Sequence, residues 1–108
     1  MIDLRISPAA YRSILDQADH YRQTLDQDLV HRWELAVDHA VNSLLSLPER
    51  GAPCRFRSTA LAGLRWIFVP GFPKHMLFYR YSSQEQLLLI VQVAHGARNL
   101  ETLLDEED

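Results

Sequence analysis

Cationic and imidazole side chains gather in the C-terminal half of the chain, and they are the residues best suited to chemistry. The candidate catalytic set is Arg65, Arg80, His95 and Arg98. A histidine can take the proton of a ribose 2′-hydroxyl, and arginines can neutralise a pentacoordinate phosphate, so this set could cleave RNA without a metal. The alternative is structural: Arg98 caps carbonyl groups, His95 ends a strand and Arg80 pairs with a carboxylate. Because nothing in the spacing fixes their mutual geometry, the structural interpretation is favoured.

The sequence predicts no metal site and no cofactor. The five histidines show no His-x-x-x-His spacing, and the four glycines are scattered singly, so neither a metal motif nor a phosphate-binding glycine loop is present. The single cysteine, Cys54, excludes an internal disulfide and is typical of a reducing compartment. No signal peptide or membrane-spanning run is visible. We therefore expect a cytoplasmic protein with no membrane partner.

Two helices are predicted to precede the strands that carry these side chains. Residues 2–6 alternate apolar and polar side chains, as a short half-buried strand does. Ser7 followed by Pro8 is typical of a helix N-cap and first helical position. The segment 26–28 supplies a break and a second cap, and the second helix must end before Pro48. Because the connection is so short, the helices should form an antiparallel hairpin.

The second half of the chain predicts a sheet. After a loop over residues 48–63, three strands are expected at roughly 64–69, 75–81 and 87–94, and a short C-terminal helix at 99–104. We see no linker or internal repeat, so residues 1–108 should form a single domain. The predicted fold class is α+β, with an N-terminal strand and a helical hairpin packed on a mostly antiparallel sheet.

The predicted strands are apolar on both faces. An antiparallel sheet with helices on one side normally alternates apolar and polar residues. Because the helices can cover only one face, we expect the other face to contact a partner protein or a second copy of this chain. The side chains assigned to partner binding are Met76, Phe78, Tyr79, Tyr81, Leu88, Ile90, Leu100 and Leu103.

Charge is distributed unevenly along the chain. Residues 1–49 carry four basic and eight acidic side chains, residues 50–98 carry seven basic and one acidic, and residues 99–108 carry five acidic and none basic. The net charge is −3. A basic middle between acidic segments indicates an anionic partner or internal compensation by the acidic tail.

Four short motifs, taken in their order and spacing, resemble the RelE/ParE superfamily of bacterial toxins. They are Leu45-x-x-Pro48-x-x-Gly51, Gly63-Leu64-Arg65, the run Pro-Gly-Phe-Pro-Lys-His-x-x-Phe-Tyr-Arg at 70–80, and His-Gly-Ala-Arg at 95–98. The resemblance covers nearly the whole chain. It implies the toxin of a type II toxin–antitoxin pair, silenced by a small, acidic antitoxin protein bound across its surface. Such a partner would cover the second face of the sheet. The assembly would be a toxin–antitoxin hetero-oligomer, and a toxin homodimer is the alternative.

The superfamily divides by target. RelE-like members cleave mRNA in the ribosomal A site, whereas ParE-like members poison DNA gyrase. Arg98 matches a position where the ribonuclease branch often has a functional arginine. However, Val69-Pro70 stands where that branch commonly has an arginine, and no tyrosine follows Arg98. The long second helix and the His-Gly-Ala-Arg ending are more similar to ParE.

The net charge points the same way, because a protein that docks among RNA phosphates gains affinity from an excess of lysine and arginine. The sequence therefore predicts a non-catalytic gyrase inhibitor. Two alternatives stay open: a ribosome-dependent mRNA endoribonuclease that uses the candidate catalytic set, and a protein-binding module of the same fold without toxicity.

Overall fold

Two helices pack against one face of a five-stranded mixed sheet in the computed structural model, which describes residues 1–96. The elements are β1 (Asp3–Ile6), α1 (Pro8–Gln23), α2 (Gln27–Ser46), β2 (Ala52–Pro53), a 3₁₀ turn (Thr59–Leu61), β3 (Arg65–Val69), β4 (Phe72–Ser82) and β5 (Leu87–His95). The strand order is β1-β5-β4-β3-β2, and only the β1–β5 pair is parallel within this part of the chain. The predicted α+β class is confirmed. The predicted helix at 99–104 lies outside the described residues, as do Arg98, Leu100 and Leu103.

The helix ends follow the predicted capping residues. The Ser7 hydroxyl accepts a hydrogen bond from the Ala10 N–H at 3.0 Å, and it donates to the Val91 carbonyl at 2.7 Å. It therefore starts α1 and ties that start to β5. The Asp26 carboxylate accepts from the Leu29 N–H at 3.0 Å and starts α2. That helix ends at Ser46, two residues before Pro48. Neither helix is long and apolar enough to cross a membrane.

The segment between α2 and β3 contains short structure that the sequence pattern did not predict. Ala52 pairs with Trp66 and so makes β2 the edge of the sheet, and the Cys54 N–H donates to the Leu64 carbonyl at 2.9 Å. A two-residue strand is too short to show periodicity, which is why this stretch was predicted as an unstructured loop. The consequence is that the loop is bound along the sheet rather than free in solvent.

The main core lies between the helical hairpin and one face of the sheet, which we call the helix face. Trp33, Ala40 and Leu44 of α2 have no exposed surface. The sheet contributes a matching set to the same cluster, comprising Ile67, Val69, Leu77, Tyr79, Leu88, Ile90 and Val93. Burial of this cluster is the main source of the free energy that holds the hairpin on the sheet.

The opposite face of the sheet, the loop face, is covered largely by the chain itself. Leu61 and Leu64 are buried there against Phe78, and Phe56 packs beside them with its ring centroid 6.4 Å from that of Phe78. This corrects the expectation that a partner protein or a second copy of the chain must cover the second face, since residues 54–64 cover much of it. Four side chains assigned to partner binding are 0% exposed: Phe78 under this loop, and Tyr79, Leu88 and Ile90 in the helix-face core.

A β-bulge in β5 changes the face of the sheet on which the side chains after it lie, so strict alternation does not hold along this strand. Phe78 pairs with Gln92 and Tyr79 pairs with Ile90, so Val91 is an extra residue. As a result Val91 packs on the loop face while Val93 packs on the helix face, although the pattern placed both on one side. The bulge also buries Gln92, whose side-chain oxygen accepts from the Ser13 hydroxyl at 2.7 Å.

Candidate functional site

The two strand arginines of the candidate catalytic set hold the chain's own backbone. One guanidinium nitrogen of Arg65 donates to the Gly51 carbonyl at 2.7 Å and to the Glu49 carbonyl at 3.2 Å. The guanidinium of Arg80 donates to the Ala60 and Ala62 carbonyls, both at 2.6 Å. Both side chains therefore fasten the 48–63 segment to the sheet.

Arg65, Arg80 and His95 do not converge. Arg65 lies directly opposite Tyr79 in the β3–β4 pair, so it projects toward the helix face as Tyr79 does. Arg80 follows Tyr79 in β4 and projects toward the loop face. His95 pairs with His75, which is four residues from Tyr79 along β4, or about 13 Å. Within the described part of the chain, the two guanidinium groups and the imidazole thus occupy three separate places.

The imidazoles do gather at one place, an open cleft of about 670 Å³ between α1 and the ends of β4 and β5. His75 and His95 meet edge to face with ring centroids 5.4 Å apart, and His75 also contacts the edge of Trp33 at 5.0 Å. His20 and Asp16 of α1 line the same cleft. The helical spacing of Asp16 and His20, one turn apart, is the sequence signal that could have placed them together.

The surroundings of His75 change the pKa of its imidazole. Its pKa is lowered from the ordinary 6.5, first because burial against Trp33 and Phe72 penalises the charged imidazolium and second because His95 would add a like charge. Neutral His75 is therefore part of the packing between α2 and the end of the sheet.

We expect the protein to lose stability as pH falls below about 6.5. The pKa of His75 is lower in the folded than in the unfolded chain, so the unfolded state binds the proton first. The contribution is fully present above the unfolded pKa and is lost as pH falls toward the folded pKa. Urea denaturation at a series of pH values should show this slope reduced in His75→Phe and retained in the control His31→Phe, which changes an exposed histidine. Equal slopes for His75→Phe and the wild type would contradict the assignment.

Three further side chains form an apolar strip that the 48–63 segment leaves uncovered on the loop face. Phe68 is 52% exposed, and its ring meets that of Trp66 edge to face with centroids 4.8 Å apart. Met76 lies opposite Phe68 in the β3–β4 pair and is partly exposed. We call Trp66, Phe68 and Met76 the Phe68 strip. Of the predicted partner-binding residues in the described part of the chain, only Met76 and Tyr81 keep partial exposure. Phe68 was not among the predicted partner-binding residues.

Metal and thiol chemistry find no support in the arrangement. Among residues 1–96 no three or more His, Cys, Asp or Glu side chains are grouped so that they could hold a metal ion. Burial raises the pKa of the Cys54 thiol to about 11, so the nucleophilic thiolate is scarce at neutral pH. Within residues 1–96 the candidate functional features are therefore the histidine cleft and the Phe68 strip.

The helical hairpin on a mixed sheet, closed by a basic loop, is the architecture of the toxins of type II toxin–antitoxin systems with the RelE/ParE fold. A family model described as ParE toxin of type II toxin-antitoxin system, parDE, matches residues 4–100. Since the match spans most of the chain, the protein belongs to the ParE toxin family. A search among curated proteins gave no match.

Solved structures share the fold. A chain of the chromosomal ParDE system from P. aeruginosa superposes with a TM-score of 0.69 at 15% identity, covering 88% of this chain and 96% of that one. The YoeB/ParE toxin from Agrobacterium tumefaciens superposes with a TM-score of 0.57 at 17% identity, covering 87% of this chain and 98% of that one. A chain of the toxin–antitoxin complex RelBE2 from Mycobacterium tuberculosis superposes with a TM-score of 0.57 at 22% identity, covering 87% of this chain and 96% of that one. At such identities the likeness concerns the fold.

Proposed function

We propose that this toxin arrests growth by poisoning DNA gyrase, without catalysis of its own, and that a cognate antitoxin protein neutralises it in the cytoplasm. The observation that carries the proposal is that the guanidinium groups of Arg65 and Arg80 donate hydrogen bonds to backbone carbonyls of the chain itself. A ribonuclease of this fold would need such cations to face the reacting phosphate. The ParE family match supports the toxin class from which the gyrase prediction was made.

The placement of His95 adds to this argument. A general base must reach the proton that it removes, at about 3 Å or through one water. His95 is separated from Arg65 by the length of four strand residues and lies on the face of the sheet opposite to Arg80. A substrate phosphate cannot contact Arg65, Arg80 and His95 at once, so these three members of the candidate set share no transition-state contact.

The antitoxin is proposed to bind the Phe68 strip. The strip is apolar and partly exposed, and Lys74, which precedes Met76 on the same face of β4, is exposed. An acidic antitoxin segment with an apolar stripe would match both features. The P. aeruginosa neighbour comes from a ParDE system and the M. tuberculosis neighbour from a toxin–antitoxin complex, which is consistent with an antitoxin partner.

The experiment is induced expression of the chain without its antitoxin, with plasmid topology and message integrity measured in the same cells. We expect growth arrest, relaxed or cleaved plasmid and intact messages, and rescue when the antitoxin is co-expressed. His95→Ala should leave the arrest in place. Intact supercoiling with cut messages, lost in His95→Ala, would replace the proposal with the endoribonuclease. Growth without any defect would indicate a non-toxic binding module.

A further inference from the structure

The turn that joins α1 to α2 presents a leucine to solvent at the tip of the hairpin. Leu25 is 88% exposed, and its backbone has a φ of +62°. Its N–H donates to the Arg22 carbonyl at 3.1 Å, which closes the end of α1, and Asp26 starts α2 directly afterwards. The local geometry is therefore that of a tight helix–helix turn with its middle residue in the left-handed region.

Leucine is a poor choice for this position on two counts. Glycine or asparagine normally occupies a left-handed residue after a helix, because a β-carbon is unfavourable there and leucine has no local hydrogen bond to offset it. The side chain also gains nothing from burial, since almost all of it is in water. The fold itself does not require leucine at this point, and a binding role would account for it.

Charge around the tip restricts the kind of partner. Residues 19–32 carry three aspartates and two arginines. Arg22 is paired with Asp19, and Arg32 is paired with Asp28 at 3.1 Å. Asp26 adds a carboxylate beside Leu25. The tip therefore keeps a balance of −1, which does not favour a polyanion such as nucleic acid or an acidic antitoxin. The complementary surface is an apolar socket with a basic rim, which suits a protein that holds DNA through lysines and arginines.

We infer that Leu25 is the anchor by which the hairpin tip docks into such a basic-rimmed socket on the toxin's protein target. The inference rests on the proposed function in naming gyrase as that target. The antitoxin has a separate place, the Phe68 strip on the loop face, so the two interactions can be separated by mutation.

Three variants test the inference. Leu25→Asn removes the anchor and relieves the backbone, Leu25→Ala removes the anchor alone, and Gln86→Asn is the matched control. Gln86 is the other non-glycine residue with positive φ in the described chain, at +51°, and it is exposed at the distant β4–β5 turn. We expect Leu25→Asn to hold or raise Tm while its affinity for purified gyrase falls roughly 10- to 100-fold, as loss of a buried leucine contact implies. Leu25→Ala should lose the same affinity, and Gln86→Asn should bind as wild type does.

The antitoxin provides the second readout. Antitoxin affinity of both Leu25 variants should match the wild type, which shows that the surface is intact. Unchanged gyrase binding by folded Leu25→Asn would overturn the inference. If the wild type itself fails to bind gyrase, the proposed target falls, and growth arrest then decides: arrest lost in Leu25→Asn supports tip docking to another protein, and arrest retained overturns it.

Discussion

Replacing Trp33 with alanine is expected to lower the free energy of unfolding by about 3–5 kcal/mol. Trp33 has no exposed surface, and its indole N–H donates to the Ile14 carbonyl at 3.1 Å, which fastens α2 to α1. Its ring also meets those of Tyr21, Phe72 and His75 at centroid distances of 6.1, 5.1 and 5.0 Å. Alanine leaves a large cavity at the junction of both helices and the sheet, and that cost is a large share of the stability of a small domain.

Urea denaturation followed by fluorescence measures this directly, because Trp66 remains as a reporter on the loop face. Trp33→Phe is the matched control. It fills most of the space and loses only the indole hydrogen bond, so it should cost clearly less than alanine. A loss below about 1 kcal/mol for Trp33→Ala would show that the hairpin is not held on the sheet by this residue.

Replacing Gly51 with alanine is expected to cost about 3 kcal/mol, although the change adds one methyl group. A β-carbon at this position would lie 2.5 Å from the Tyr79 hydroxyl oxygen and 2.7 Å from its ring. Tyr79 has no exposed surface and cannot move without disturbing the helix-face core. The shift would also break the hydrogen bond that the Gly51 N–H donates to that hydroxyl at 2.9 Å.

Gly96→Ala is the control for this substitution. The nearest atom to its β-carbon would be the Met76 sulfur at 3.3 Å, at the flexible end of a side chain. We expect its stability to stay within about 0.5 kcal/mol of wild type in thermal and urea unfolding. Equal effects of Gly51→Ala and Gly96→Ala would contradict the close packing of the 48–63 segment on Tyr79.

Local signals predicted the fold well where they were strong. Ser7, Asp26 and Pro48 set the helix ends because capping and proline geometry act within a few residues. The three later strands were expected close to their observed places because long apolar runs between turn signals are typical of strands. The bulge at Val91 could not be predicted, since one inserted residue changes which face a side chain occupies without changing the composition of the strand.

The candidate site was less predictable than the fold. Arg65 and Arg80 were chosen for their charge, but what a guanidinium contacts depends on where a distant loop returns to the sheet. The same loop buries Phe78, so apolar pattern alone overstated the exposed surface. Leu25 shows the opposite problem, because only the backbone conformation and the exposure reveal that a leucine in an ordinary turn is unusual.

Supercoiling by purified DNA gyrase in the presence of the purified chain tests the central claim most directly. We predict that the chain inhibits supercoiling in proportion to its concentration, that stoichiometric antitoxin restores the activity, and that message on translating ribosomes remains uncut at the same toxin concentration. Full supercoiling activity together with cleavage of ribosome-bound message would contradict the account.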